Sequence, residues 1–163
     1  MKRTTLYITR GGLIAALYVI LTLVSSLAGL ASGAVQFRLS EALCILPVFF
    51  PEAVPALAIG CFLSNLLMGS VVWDIVFGTL ATLLGAIGAR LLRKTKYIWL
   101  IPLPTVFANA LIVPPIIVFF AGGGGAWSIV PAVTLGVAAG EVVCALLGGV
   151  ALHLLLVRTK FIR

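Results

Sequence analysis

The sequence predicts an all-α membrane protein: a single domain over residues 1–163, built as a compact bundle of about six transmembrane helices with both termini cytoplasmic. Three observations carry this. Hydrophobic residues make up 63% of the chain and charged residues only 9%, where a soluble domain carries about 25% charged residues. Ten of the eleven Lys and Arg fall in three groups: Lys2, Arg3 and Arg10; Arg90, Arg93, Lys94 and Lys96; Arg158, Lys160 and Arg163. Each group abuts an apolar run, as the positive-inside rule requires. The net charge of +7 therefore reads as membrane topology and not as a nucleic-acid footprint. The eleventh cation, Arg38, stands in an island, Val35-Gln36-Phe37-Arg38-Leu39-Ser40-Glu41, between two apolar segments. That island reads as the outer mouth of a membrane-embedded pocket for a small polar molecule.

About 20 apolar residues cross some 30 Å of hydrocarbon. Residues 11–34 do so once. Basic residues, an apolar run and Ser32-Gly33-Ala34 resemble a signal peptide, but the run is long for one and reads as the first span. On it, Gly11/Ala15 and Gly12/Ala16 are four apart and share a face. Small residues at that spacing admit a close helix, either inside the bundle or from a partner subunit.

Residues 42–69 are long for one span and short for two, and Pro47, Pro51 and Pro55 interrupt them. Proline breaks helices, and in lipid the freed groups must face protein or a wet cavity. Two short helices that cross and return fit, and so does a re-entrant hairpin. Residues 71–92 form a clean span with Ala81, Gly85 and Ala89 on one face. Residues 98–121 form the next, with Pro102 and Pro104 near its start, Pro114-Pro115 within it and Asn109 at its middle. The Gly122 to Gly125 tract is a flexible loop by composition. Ser128 is placed to cap the last helix and Pro131 to sit in its first turn. That helix runs to about residue 157, with Gly136, Gly140, Cys144 and Gly148 on one face.

Parity gives sidedness. If residues 42–69 leave and return to the outside, all three basic clusters fall inside. The loops carrying Gln36, Arg38, Trp73, Asp74 and Trp127 then lie outside.

No enzymatic constellation is present. His153 has no Cys or carboxylate at ligand spacing, and the glycine tract lacks the Lys-Ser/Thr of a phosphate loop. Cys44, Cys61 and Cys144 sit in apolar segments and read as packing residues. What remains is a set of costly polar groups. A charge at mid-bilayer costs about 2.5–3.5 kcal/mol on insertion scales. Glu141, in the outer half of the last helix, either binds a ligand or pairs with Arg38. Glu41, three residues after Arg38, either pairs with it or helps bind. Asp74 is a ligand group or a helix-dipole carboxylate. Asn65 and Asn109 contact ligand or bond between helices. Trp73 and Trp127 stack on a flat ligand or anchor the interface. Together with Gln36 and Arg38 they converge on the outer side and suit a planar ligand with several N–H donors.

These residues resemble the substrate-binding (S) components of energy-coupling-factor (ECF) transporters, and within them the QueT family. The resemblance rests on residues 35–43 followed by Leu46-Pro47, on Phe50-Pro51-Glu52-Ala53-Val54, on Gly60-Cys61-Phe62-Leu63-Ser64-Asn65 and on Gly140-Glu141. It implies capture of a queuosine precursor, such as 7-aminomethyl-7-deazaguanine, from outside. It implies association with a transmembrane coupling subunit and two ATPases, which hold the ATP, so this chain needs no cofactor. It also implies tilting of the chain in the bilayer during transport. The family's Ala-x-x-x-Ala docking face corresponds to Gly11/Ala15 and Gly12/Ala16. The alternatives are an S component for another vitamin-like compound and a non-transporting structural membrane protein. An autonomous channel fits less well, since the spans lack repeated pore-lining polar positions.

Overall fold

The computed structural model describes residues 3–30, 36–121 and 126–159. Val35, the Ser32-Gly33-Ala34 stretch, the Gly122 to Gly125 tract, and Lys2, Lys160 and Arg163 lie outside the described residues. Among the described residues there are six helices: α1 (Arg3–Leu27), α2 (Leu39–Val48), α3 (Ala53–Leu67), α4 (Val72–Lys94), α5 (Ile98–Phe120) and α6 (Trp127–Arg158). Four of them, all but α2 and α3, are long and apolar enough to cross a membrane. Many large apolar side chains face outward, among them Leu27, Leu111 and Leu135. The chain is a multi-pass membrane protein.

The helices stop and bend where the sequence supplies a reason. Gly29 and Gly69 both adopt left-handed φ, +71° and +67°, a conformation that glycine reaches at no steric cost. Just beyond them, Leu30 N–H donates to the Ser25 carbonyl at 2.9 Å and Ser70 N–H to the Asn65 carbonyl at 3.0 Å. These are the six-to-one bonds that close a helix C-terminus. Pro114 and Pro115 remove two donors inside α5, which then widens into a π-helical turn over Ile117–Ala121. A second such turn, Val142–Gly148, follows Glu141 inside α6. Ser128 does not cap α6. It lies within a 3₁₀ turn, Trp127–Ile129, and Ile129 precedes the α-helical part without a side-chain cap. Pro131 does fall in the first turn.

The short helix α2 is 3₁₀ along its ten residues. At a rise of about 2.0 Å per residue this stretches it to roughly 20 Å. It lies at the centre of the bundle, packed by α1, α3, α4 and α6, and Ser40, Glu41 and Leu43 to Pro47 are buried. Around it α1 packs on α3, α3 on α4, α4 on α5 and α5 on α6. Small residues set these crossings. A Cβ on Gly60 would come within 2.8 Å of Tyr18 Cβ, and one on Gly85 within 2.6 Å of Thr105 Oγ1. The Ala81, Gly85, Ala89 face is buried.

The two ends of the bundle can be told apart. Arg10, Phe50 and Leu156 line one cavity of about 290 Å³, and Arg90 donates to the Pro47 and Val48 carbonyls at 2.9 and 3.1 Å. The start of α1, the turn between α2 and α3, the end of α4 and the end of α6 therefore share one end, the basic end. Arg38, before α2, meets Asp74 of α4 at the other. So α2 runs from one end to the other and α3 returns. Of the two arrangements open for residues 42–69, the structure has the pair of short crossings.

Candidate functional site

At the end opposite the basic clusters, an extended stretch carries the island into the bundle. Phe37 N–H donates to the Leu30 carbonyl at 2.8 Å, and Arg38 is extended at φ −99°, ψ 101°. The stretch passes directly over α6 at Gly140, where an added Cβ would lie 1.8 Å from the Gln36 carbonyl oxygen. No side chain fits there. Beneath it is a small cavity of about 10 Å³ lined by Gln36, Arg38, Asn109, Val113, Val137 and Glu141, room for about one water molecule.

The polar groups around this cavity are incompletely matched. Asn109 Nδ2 donates to Glu141 Oε1 at 2.8 Å. Glu141 is only 7% exposed, and its other oxygen, Oε2, has no partner among the described residues. Arg38 Nη2 lies 3.8 Å from Asp74 Oδ2, while Arg38 Nε is buried without a partner. Buried polar atoms are normally satisfied, so two bare atoms of opposite character, a donor and an acceptor on residues lining one cavity, mark it as a place for a polar ligand.

Glu41 is close but separate. It is 1% exposed and does not line the cavity. Tyr18 Oη donates to its Oε1, and Cys44 Sγ donates to its Oε2 at 3.1 Å. Thr22 Oγ1 bonds Ser40 Oγ at 2.8 Å beside it, and Leu39 N–H donates to Ser25 Oγ at 3.0 Å. Tyr18, Thr22 and Ser25 form a polar stripe on the buried face of α1 and fix the start of α2. Sequence reasoning missed this stripe, although its i, i+4, i+7 spacing is a helical one.

The other predicted residues fall outside the cavity lining. Asn65 is fully buried between α3 and α4, with Nδ2 3.5 Å from the Asp74 carbonyl and 3.6 Å from Cys61 Sγ, and with Oδ1 unpartnered. Asp74 sits in the first turn of α4 and reaches the site only through Arg38. Trp73 stacks near Phe77 and Phe120, at 6.0 and 5.1 Å between ring centroids. Trp127 meets Phe119 at 4.5 Å and is 72% exposed. Both tryptophans ring the mouth of the bundle without lining the cavity.

On α1 the two small-residue pairs separate. Gly11 faces α3, with the Glu52 carbonyl oxygen 3.8 Å from an added Cβ, and the Ala15 carbonyl comes within 3.1 Å of a Cβ built on Gly60. Gly12 has open space around it and Ala16 is exposed. A groove of about 270 Å³ follows this face, lined in part by Gly11, Gly12, Ala15, Glu52 and Ala56.

Comparison with known proteins adds the family. Residues 8–158 match the family model described as QueT transporter. The chain is 38% identical over 104 residues to a protein of Lactococcus lactis subsp. cremoris named queuosine precursor transporter QueT. That alignment covers 61% of this chain and 60% of the relative, so the match spans about three fifths of each. No solved structure matches. With a model match running from the second turn of α1 to the end of α6, the chain belongs to the QueT transporter family.

Proposed function

We propose that this chain is the non-catalytic substrate-capture subunit of an ECF-type importer, taking a deazaguanine precursor of queuosine from outside the cell. The observation that carries the reading is the pair of bare buried atoms, Arg38 Nε and Glu141 Oε2, on residues lining one cavity. The name of the Lactococcus relative, queuosine precursor transporter, supports the cargo. The gathering of cations at the far end supports an outward-facing mouth, because basic residues stay on the cytoplasmic side.

A fused bicyclic base does not fit into a cavity of about 10 Å³. Loading therefore separates the Gln36 to Arg38 stretch from α6, and the two rest against each other only because residue 140 is glycine. The open face at Gly12 and Ala16 suits a close helix of the coupling subunit, and the two ATPases of that module supply ATP hydrolysis.

The test is thermal stability of the purified protein with 7-aminomethyl-7-deazaguanine, set beside a panel of vitamins. A ligand that binds only the folded state stabilises it. Stabilisation by the deazaguanine supports the proposal. Stabilisation by a different compound alone keeps the capture role and changes the cargo. No stabilisation by any compound favours a structural membrane protein.

A further inference from the structure

Four acidic residues are present in the chain, and three of them, Glu41, Asp74 and Glu141, belong to the site half of the bundle. Among the described residues the only Lys or Arg in that half is Arg38, since Arg3, Arg10, Arg90, Arg93, Lys94, Lys96 and Arg158 belong to the basic end. Arg38 is already engaged by Asp74. Glu41 has a neutral donor on each oxygen, Tyr18 and Cys44. Glu141 has one neutral donor, Asn109, and one bare oxygen. The half of the molecule that holds the cavity thus has three carboxyl groups and one cation among the described residues, and the carboxyl left with a bare oxygen is the one at the cavity, Glu141. Removing a carboxylate from water without a counter-charge is costly, and buried charges are held by pairing.

We infer that this site selects its ligand by charge: Glu141 Oε2 takes a protonated amine, Arg38 Nε takes a hydrogen-bond acceptor of the same molecule, and a neutral ligand of equal shape is rejected. The inference rests on the capture reading above and sharpens it to a cationic heterocycle carrying a carbonyl. It also fixes polarity, with the ammonium toward α6 and the carbonyl toward the stretch before α2. Asn109 positions Glu141 by occupying Oε1, which leaves Oε2 for the ligand.

The experiment compares 7-aminomethyl-7-deazaguanine with 7-cyano-7-deazaguanine, the same ring with a neutral substituent, by titration calorimetry on the full chain. The wild type binds the amine at least about tenfold more tightly, a difference of about 1.4 kcal/mol. In Glu141→Gln that preference collapses to within about threefold. Equal affinities in the wild type overturn the inference and leave the capture reading standing. A tenfold preference that persists in Glu141→Gln also overturns it, because Glu141 would then be reading the ring edge common to both ligands. Binding of neither compound removes the deazaguanine reading together with this one. Equal wild-type affinities need no variant, so the inference can be overturned even where Glu141→Gln is not recovered folded.

Discussion

At the basic end of the bundle, Arg10 is about half exposed and meets Glu52 at 3.8 Å, with its guanidinium also 5.1 Å from the Phe50 ring. Arg90 caps the last carbonyls of α2. At the opposite end, Arg38 and Asp74 face each other at the same 3.8 Å, but with only 14% and 15% of their side chains exposed. Beside them Glu141 and Arg38 each keep a bare atom. The ion pairs have equal lengths and different meanings. At the basic end Glu52 is only 5% exposed, but solvent reaches the pair through Arg10, 48% exposed, and a pair that solvent reaches contributes little. At the site end the groups are desolvated, so any mismatch is expensive and has to be explained by something the chain holds in turn.

That contrast can be broken by substitution at each end. Gly140→Val has the largest expected effect. Its side chain meets the Gln36 carbonyl, so overpacking costs about 3 kcal/mol and ligand binding is lost, read as a lowered Tm together with a flat titration. Tyr18→Phe removes the hydroxyl that satisfies Glu41 Oε1 and costs roughly 1–3 kcal/mol of stability, measured by thermal unfolding in detergent. Arg90→Met releases two carbonyls at a partly exposed helix end and costs about 1 kcal/mol, with ligand affinity unchanged. Arg10→Gln, at the pair that solvent reaches from the Arg10 side, changes stability by roughly 0–1 kcal/mol and leaves affinity unchanged. If Arg10→Gln proved as damaging as Tyr18→Phe, the distinction between a screened end and a desolvated end would be lost.

The fold was largely legible because its signals are strong ones. Apolar runs, clustered cations and prolines fixed the number of helices and placed both described ends of the chain together. Sequence left residues 42–69 open between two arrangements, and the reason is physical. Proline spacing shows where helix breaks, not how deep it reaches, and the 3₁₀ winding that lengthens α2 has no distinct residue signature. The site was legible as a set of residues but not as a set of pairs. Arg38 and Glu41, three apart, would be neighbours on a helix. Arg38 instead precedes the helix in extended conformation, so it turns to Asp74 and leaves Glu41 to Tyr18. Glu141 bonds Asn109, where the sequence offered Arg38 as the alternative to a ligand. Tyr18 escaped notice because a tyrosine among apolar residues looks like packing until the carboxylate opposite it is placed.

The claim that the Arg38 and Glu141 end is a ligand site is tested most directly by one paired titration. Purified Glu141→Gln and Arg90→Met are titrated with 7-aminomethyl-7-deazaguanine beside the wild type. The account predicts at least tenfold weaker binding for Glu141→Gln, about 1.4 kcal/mol, and wild-type affinity for Arg90→Met. Wild-type affinity in Glu141→Gln with loss in Arg90→Met would place the ligand at the basic end and contradict the account.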